Sequence, residues 1–292
     1  VSRLGASSAT GTVTFTGTNG TAIPSGTPLV RADGWRYATT APATISAGLA
    51  TVAASADPGA SGNAGSGSAL TLYSAISGVN AAVSAATAFT GGADIETDDS
   101  LRSRMLLAFQ SPAYGGAQVD YVRWAREVPG VTRSWCIPHG DGAGTVSVYF
   151  MLDVAQAAFG GFPQGTDGAA TDESRASAAV GDQLTLANYL FSRQPVTALV
   201  RARAPAQNTV NFTITGLASA STATKNAVIA AIKQVFLDQG SVGASGTTVL
   251  LSYVQAAVAA VPNTAGFLIT SPAGNITSAA GALPVVGVVS FP

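Results

Sequence analysis

Apolar and polar residues alternate over 11–17, where Val13 and Phe15 are separated by Thr12, Thr14 and Thr16. This period of two presses one face of a strand against a core. Segments 29–32 and 35–39 flank Asp33-Gly34, which predicts a two-residue type I′ hairpin in which Ala32 faces Trp35, Arg31 faces Arg36 and Val30 faces Tyr37. A further hairpin is expected from residues 49–54 and 70–73. The Gly- and Ser-rich residues 57–67 between them read either as a linker or as a long loop within one β domain.

The period changes after Gly91-Gly92. Leu101, Met105, Ala108 and Phe109 fall at i, i+4, i+7 and i+8, so Asp98 and Asp99 would cap a helix with Arg102 and Arg104 turned outward and Pro112 stopping it. A second helix from about Ala117 collects Tyr121, Trp124, Ala125 and Val128 on one side and ends at Pro129-Gly130. Beyond it the pattern gives strands at 131–137 and 145–152, a helix near 171–190 and strands at 196–204 and 209–216. A helix over 221–238 that Gly240 ends, a helix near 248–261 and closing strands at 266–270 and 285–290 complete the chain. The expected fold is α+β, with a β-rich domain over 1–90, a helical or α+β central domain over 91–195 and an α+β domain over 196–292. Few contacts are expected across Gly91-Gly92, which is the best candidate for a hinge.

Composition adds little, because half of the 292 residues are Ala, Gly, Ser or Thr, though 47% hydrophobic residues suffice for buried cores. Charge adds more. Fourteen basic and 15 acidic residues leave a formal net charge of −1, and only Lys225 and Lys233 are lysines, so neither a phosphate-binding face nor a nucleic-acid partner is expected. No apolar run approaches the roughly 20 residues that span a bilayer, so no membrane partner is expected either. The opening Val-Ser-Arg-Leu-Gly, without initiator Met or leader, reads as the start of a fragment. Eleven of the 29 charges lie between Asp94 and Arg133, which marks that segment as facing water or a partner.

Candidate chemistry is sparse. Cys136 and His139 are the only thiol and imidazole, and their place before a Gly-rich turn favours a buried Cys and a loop His over a nucleophile and its base. Zinc would need more ligands than these two supply. Asp94, Glu96 and Asp98 alternate as in a calcium loop, but Asp99 stands where Gly is required and Met105 where the bidentate Glu belongs, so the acids read as a solvated helix cap. Phosphate loops and the Gly-x-Ser-x-Gly elbow are absent, and no carboxylate pair can be nominated for glycoside hydrolysis. The chain is expected to be non-enzymatic and to need no cofactor.

Several short motifs occur in a fixed order. They begin with Ile23-Pro24-Ser25-Gly26-Thr27, Asp33-Gly34 and Tyr37, then Gly59 and Gly62-Asn63. Gly91-Gly92-Ala93-Asp94-Ile95-Glu96 precedes Leu101-Arg102 and Arg104. Gly115-Gly116-Ala117, Asp120-Tyr121, Trp124-Ala125, Val128, Gly130-Val131, Gly142-Ala143-Gly144 and Val146 follow. In this order over residues 3 to about 150 the chain resembles the baseplate J-like family, wedge proteins of contractile phage tails of the Mu and P2 types. The resemblance implies a structural virion protein, assembled in the host cytoplasm, that joins its own copies and neighbouring wedge and hub proteins into a ring. It also implies residues ahead of Arg3, and it carries over no active site.

The alternative is a receptor- or carbohydrate-binding tail module, which should expose an aromatic cluster, whereas Trp35, Trp124 and Trp135 are expected to be at least partly buried. The candidate interface residues are Arg31, Arg36, Asp94, Glu96, Arg102, Arg104, Arg123 and Arg126. Arg is favoured over Lys at interfaces. Arg31 and Arg36, facing each other in the expected hairpin, would need neutralising by water and salt, by an acid of the same domain or by carboxylates of an adjoining subunit.

Overall fold

The computed structural model describes residues 2–110 and 115–292. It divides into two compact units, Val1–Ala204 and Pro205–Pro292.

The first unit opens with a closed six-stranded antiparallel barrel. Its strands are β1 (Ser8–Thr16), β2 (Pro28–Arg31), β3 (Arg36–Thr39), β4 (Leu49–Pro58), β5 (Ala69–Leu72) and β6 (Ala82–Ala85), joined in the order β1-β4-β3-β2-β5-β6. The expected alternation holds: Val13 and Phe15 of β1 point inward, as do Ala50, Val52, Ala54 and Ala56 of β4, and Leu29, Tyr37, Leu70, Leu72 and Val83 fill the rest of the interior. Small side chains on β4 leave room for Phe15 and for the edge-on pair of Tyr37 and Phe89, whose ring centres are 4.8 Å apart.

Two expectations change here. Residues 49–54 and 70–73 do not form a hairpin; β4 lies between β1 and β3, and β5 between β2 and β6. The hairpin at Asp33-Gly34 has a three-residue loop, because the Arg31 N–H donates to the Trp35 carbonyl, the Arg31 carbonyl accepts from the Gly34 N–H, and Gly34 takes the left-handed conformation at φ 88°. Val30 therefore pairs with Arg36 and Leu29 with Tyr37, and the two arginines do not face each other.

The unit continues with α1 (Asp98–Gln110), α2 (Gln118–Ala125), β7 (Arg133–Pro138), β8 (Thr145–Met151), α3 (Asp182–Phe191) and β9 (Leu199–Arg203). Pro112, the expected stop of the first helix, lies outside the described residues. β8 is central, antiparallel to β7 and parallel to β9, with α3 in the crossover. One sheet face, through Val148, Phe150, Val200 and Ala202, packs with Tyr121 and Ala125 of α2 and Leu186 and Leu190 of α3. β9 was expected in the third domain, but its pairing with β8 ties it to the central one. The helix expected over 171–190 begins only at Asp182. Glu173 folds back to accept hydrogen bonds from the backbone and guanidinium of Arg175, and Gly181, at φ 69°, lies so close to Gln164 that a Cβ would meet its carbonyl at 2.2 Å.

The barrel and the central sheet are bolted together at the place expected to be a hinge. Asn63 donates to the carbonyls of Gly92 (2.8 Å) and Ala155 (2.7 Å) and accepts from the Gly92 N–H (2.9 Å). Buried Asp182 accepts from the N–H groups of Gly91 and Gln164 and from the Gln156 amide. Burial pushes its carboxyl above the usual range against the pull of these three donors.

The second unit centres on β10 (Ala206–Thr215), followed by α4 (Thr222–Gln239), β11 (Thr247–Val249), α5 (Leu251–Ala259), β12 (Leu268–Ser271), β13 (Ile276–Ser278) and β14 (Ala282–Ser290). β10 pairs antiparallel with β12 and parallel with β14. Val228, Ile232, Val235 and Phe236 of α4 and Val254 and Val258 of α5 join Phe212 and Ile214 in the core. Gly240 ends α4 without the left-handed cap; its φ is −68°, and a side chain there would meet the Phe236 carbonyl at 2.3 Å.

Candidate assembly surface

The charged segment is mostly consumed by the protein itself. Glu96 is buried and receives the Nε of Arg104 at 2.6 Å and its Nη2 at 2.8 Å, the N–H of Leu4 at 3.0 Å and the Ser100 hydroxyl. The Arg104 guanidinium holds this carboxyl down at about 2. Arg104 also reaches the Ser2 carbonyl, and Arg3 bonds the Glu96 carbonyl and the Asp98 carboxylate, so residues 2–4 are clamped to the start of α1. Arg104 therefore points inward, with 11% of its side chain exposed, against the expectation that it faces out.

The other candidates divide similarly. Arg31 is bidentate to Asp33 and also donates to the Tyr37 hydroxyl and the carbonyls of Ser61 and Asn63, so an acid of its own domain and backbone oxygens neutralise it. Arg36 lies over the ring of exposed Tyr73, 5.5 Å from its centre. Asp94 accepts from the Ala60 N–H, and Arg102, exposed, pairs with Asp99. Asp120 is buried, accepts from the N–H groups of Gly116 and Ala117 at the start of α2 and lies 3.4 Å from Arg123.

Arg126 differs. Its Nε is buried without a hydrogen-bond partner, and burial together with Arg133 pushes the guanidinium below its usual range. Arg104, Arg123 and Arg126 meet in one cleft between α1 and α2, lined also by Leu107, Ala108 and Glu127. Arg31 and Asp94 share a second, open cleft with residues 154–159, while Arg36 and Arg102 line neither.

The outer face of α1 is apolar. The expected inward stripe fails, because no residue of α1 is buried: Met105 is 40% exposed, Leu106 48% and Phe109 79%. Of the expected stripe, Leu101 and Ala108 are half-buried while Met105 and Phe109 face out, and spacing alone could not show that the inward side is held by the Arg104–Glu96 pair.

Cys136 is embedded, its thiol pushed up to about 12 by burial, and His139 sits in the exposed turn at φ 57°. The three tryptophans are half-buried, Trp35 over Gly59 and Gly62, Trp124 edge-on to Tyr121 and Trp135 under Arg133. Among the described residues no helix is long and apolar enough to cross a membrane.

Residues 12–92 match the Baseplate J-like protein barrel domain, 113–204 the Baseplate J-like central domain and 208–292 the Baseplate J-like protein C-terminal domain. The chain belongs to the Baseplate J-like family, with its barrel, central and C-terminal domains in order. Baseplate protein gp47 of Escherichia phage Mu is 43% identical over 155 residues, 52% of this chain and 43% of that protein. Mu-like prophage FluMu protein gp47 of Haemophilus influenzae is 43% identical over 153 residues, again 52% and 43% of the two chains. Putative protein JayE of Escherichia coli K12 is 40% identical over 131 residues, 44% of this chain and 49% of that one. The match spans about half the length of these relatives. The cryo-EM structure of the anti-feeding prophage baseplate aligns with 99% of this chain and 77% of that chain at 12% identity and a TM-score of 0.41.

Proposed function

We propose that the chain builds the baseplate wedge and its ring through protein–protein interfaces, with other wedge and hub proteins and its own copies as partners, and without catalysis, cofactor, nucleic acid or membrane. The observation that carries the reading is the run of three family domains in order along the chain. The clamped residues 2–4 and the bolted barrel support it physically, because a ring component must hold its shape. Assembly belongs to the host cytoplasm and the finished product to the tail baseplate.

The test is negative-stain imaging of the protein mixed with its neighbouring tail proteins. Ring or wedge particles are expected. Isolated monomers that bind glycan would overturn the reading in favour of a receptor-binding module.

A further inference from the structure

The open cleft shared by Arg31, Asp94 and residues 154–159 has a volume of about 370 Å³, the size of a small ligand pocket. One wall comes from the barrel and the other from the turn after β8. The Asn63 amide pins them together by donating to the Ala155 carbonyl at 2.7 Å, so the cleft is formed before anything enters it. Its cation is fully engaged. Arg31 places all five of its N–H donors on Asp33, the Tyr37 hydroxyl and the carbonyls of Ser61 and Asn63, and Asn63 uses both amide hydrogens on Gly92 and Ala155. Neither side chain has a donor left for an incoming anion. Asp94 is the opposite case: one carboxylate oxygen accepts from the Ala60 N–H at 2.9 Å, and among the described residues the carboxylate forms no ion pair. With Arg31 and Asp33 cancelling, the charge of the cleft is that of Asp94. Beside it lie exposed Val154, Ala157, Ala158 and Phe159.

Resting on the assembly role above, we propose that this cleft receives an extended segment of a different baseplate protein, one that sets an arginine or lysine against Asp94 and an adjacent apolar side chain between Val154 and Phe159. Long basic side chains lay their stems along apolar surface and keep the charged head at a polar one, which matches a carboxylate at the edge of an alanine-lined wall. An acidic segment would bring like charges together, and no N–H of Arg31 is free to offset them. A wholly apolar segment would take Asp94 from water without a counter-charge. A second copy fits poorly. Among the described residues its arginines outside ion pairs are Arg36, held over Tyr73, and Arg126, enclosed between α1 and α2, while Lys225 donates to the Ala218 carbonyl. That leaves Lys233 on α4, a helix whose diameter of about 10 Å keeps its backbone out of the cleft.

The test co-expresses the full chain with the structural proteins of its tail and measures its incorporation into particles for wild type, Asp94→Asn and Ala158→Trp, with the melting temperature of each. Asn keeps an acceptor for the Ala60 N–H and removes only the charge, and Trp at exposed position 158 fills the cleft. Both variants should melt as the wild type does. Ala158→Trp is expected to lose incorporation at least about tenfold, and Asp94→Asn about threefold, the effect of removing a solvent-edged ion pair. A photo-crosslinker at position 158 should map to a segment of another tail protein that has Arg or Lys beside an apolar residue. Unchanged incorporation of both variants, or a crosslink to a second copy or to a segment without a basic residue, overturns this cleft and leaves the baseplate reading standing. A wild-type chain that enters no particle overturns the baseplate reading, and this inference with it.

Discussion

At the scale of single residues, Glu96 is a buried carboxylate held by four hydrogen bonds, two of them from Arg104. Glu96→Gln leaves the Arg104 charge buried with a neutral partner and should cost about 3 kcal/mol of stability, measurable by urea unfolding at pH 7. The pH dependence has a definite sign. A carboxyl held at about 2 in the folded state, against 4.5 ordinarily, contributes its full stability above pH 4.5 and loses it as pH falls toward 2. The gap between wild type and Glu96→Gln should accordingly close over that window. Gly92 is a second sensitive residue. A Cβ there would stand 2.6 Å from the Gly59 carbonyl and 3.1 Å from the Ala9 Cβ, so Gly92→Ala should destabilise by about 2 kcal/mol and lower the melting temperature by several degrees. Neither role was legible in the sequence. Glu96 looked like one of several solvated acids because its burial depends on Leu4 and Arg104, 92 and 8 residues away. Gly92 looked like a hinge because flexibility and close packing both call for the same residue.

Among elements, α1 and α4 form a pair of opposites. α4, expected as a helix over 221–238 with no face assigned, buries Val228, Ile232, Val235 and Phe236, and Ser221 caps it by accepting from the Thr224 N–H. Ser221→Ala should cost about 1 kcal/mol in thermal or urea unfolding. In α1 the spacing of Leu101, Met105, Ala108 and Phe109 gave a helix but the wrong orientation, since a periodic stripe specifies a face without specifying what covers it. Held by polar contacts and with no buried residue, α1 should open locally at lower free energy than α3, whose Leu186 and Leu190 are fully buried. Hydrogen exchange checks this: α1 amides should exchange well before those of α3. Equal protection would mean that the outer face of α1 is covered in solution. The stretch 171–181 was misread as helix for a related reason, because its local propensity yields to the Glu173–Arg175 turn and to the approach of Gly181 to Gln164.

For the whole molecule, α+β architecture and the leading β region were readable from periodicity, but the grouping of elements was not, since strand pairing such as β8 with β9 joins residues more than fifty positions apart. Residues 205–292 have their own core and should fold alone. The isolated segment is expected to give a single cooperative melt and native-like circular dichroism, and a noncooperative trace would count against its independence. The Asn63 and Asp182 bolts have a mechanical consequence. A force applied to the barrel should not take up slack at Gly91-Gly92 but pass into the central region through the Asn63–Ala155 and Gly91–Asp182 hydrogen bonds. The barrel is then the stiff end of a lever that is pinned at its glycines. Pulling on it should break these bonds together rather than stretch the chain between them.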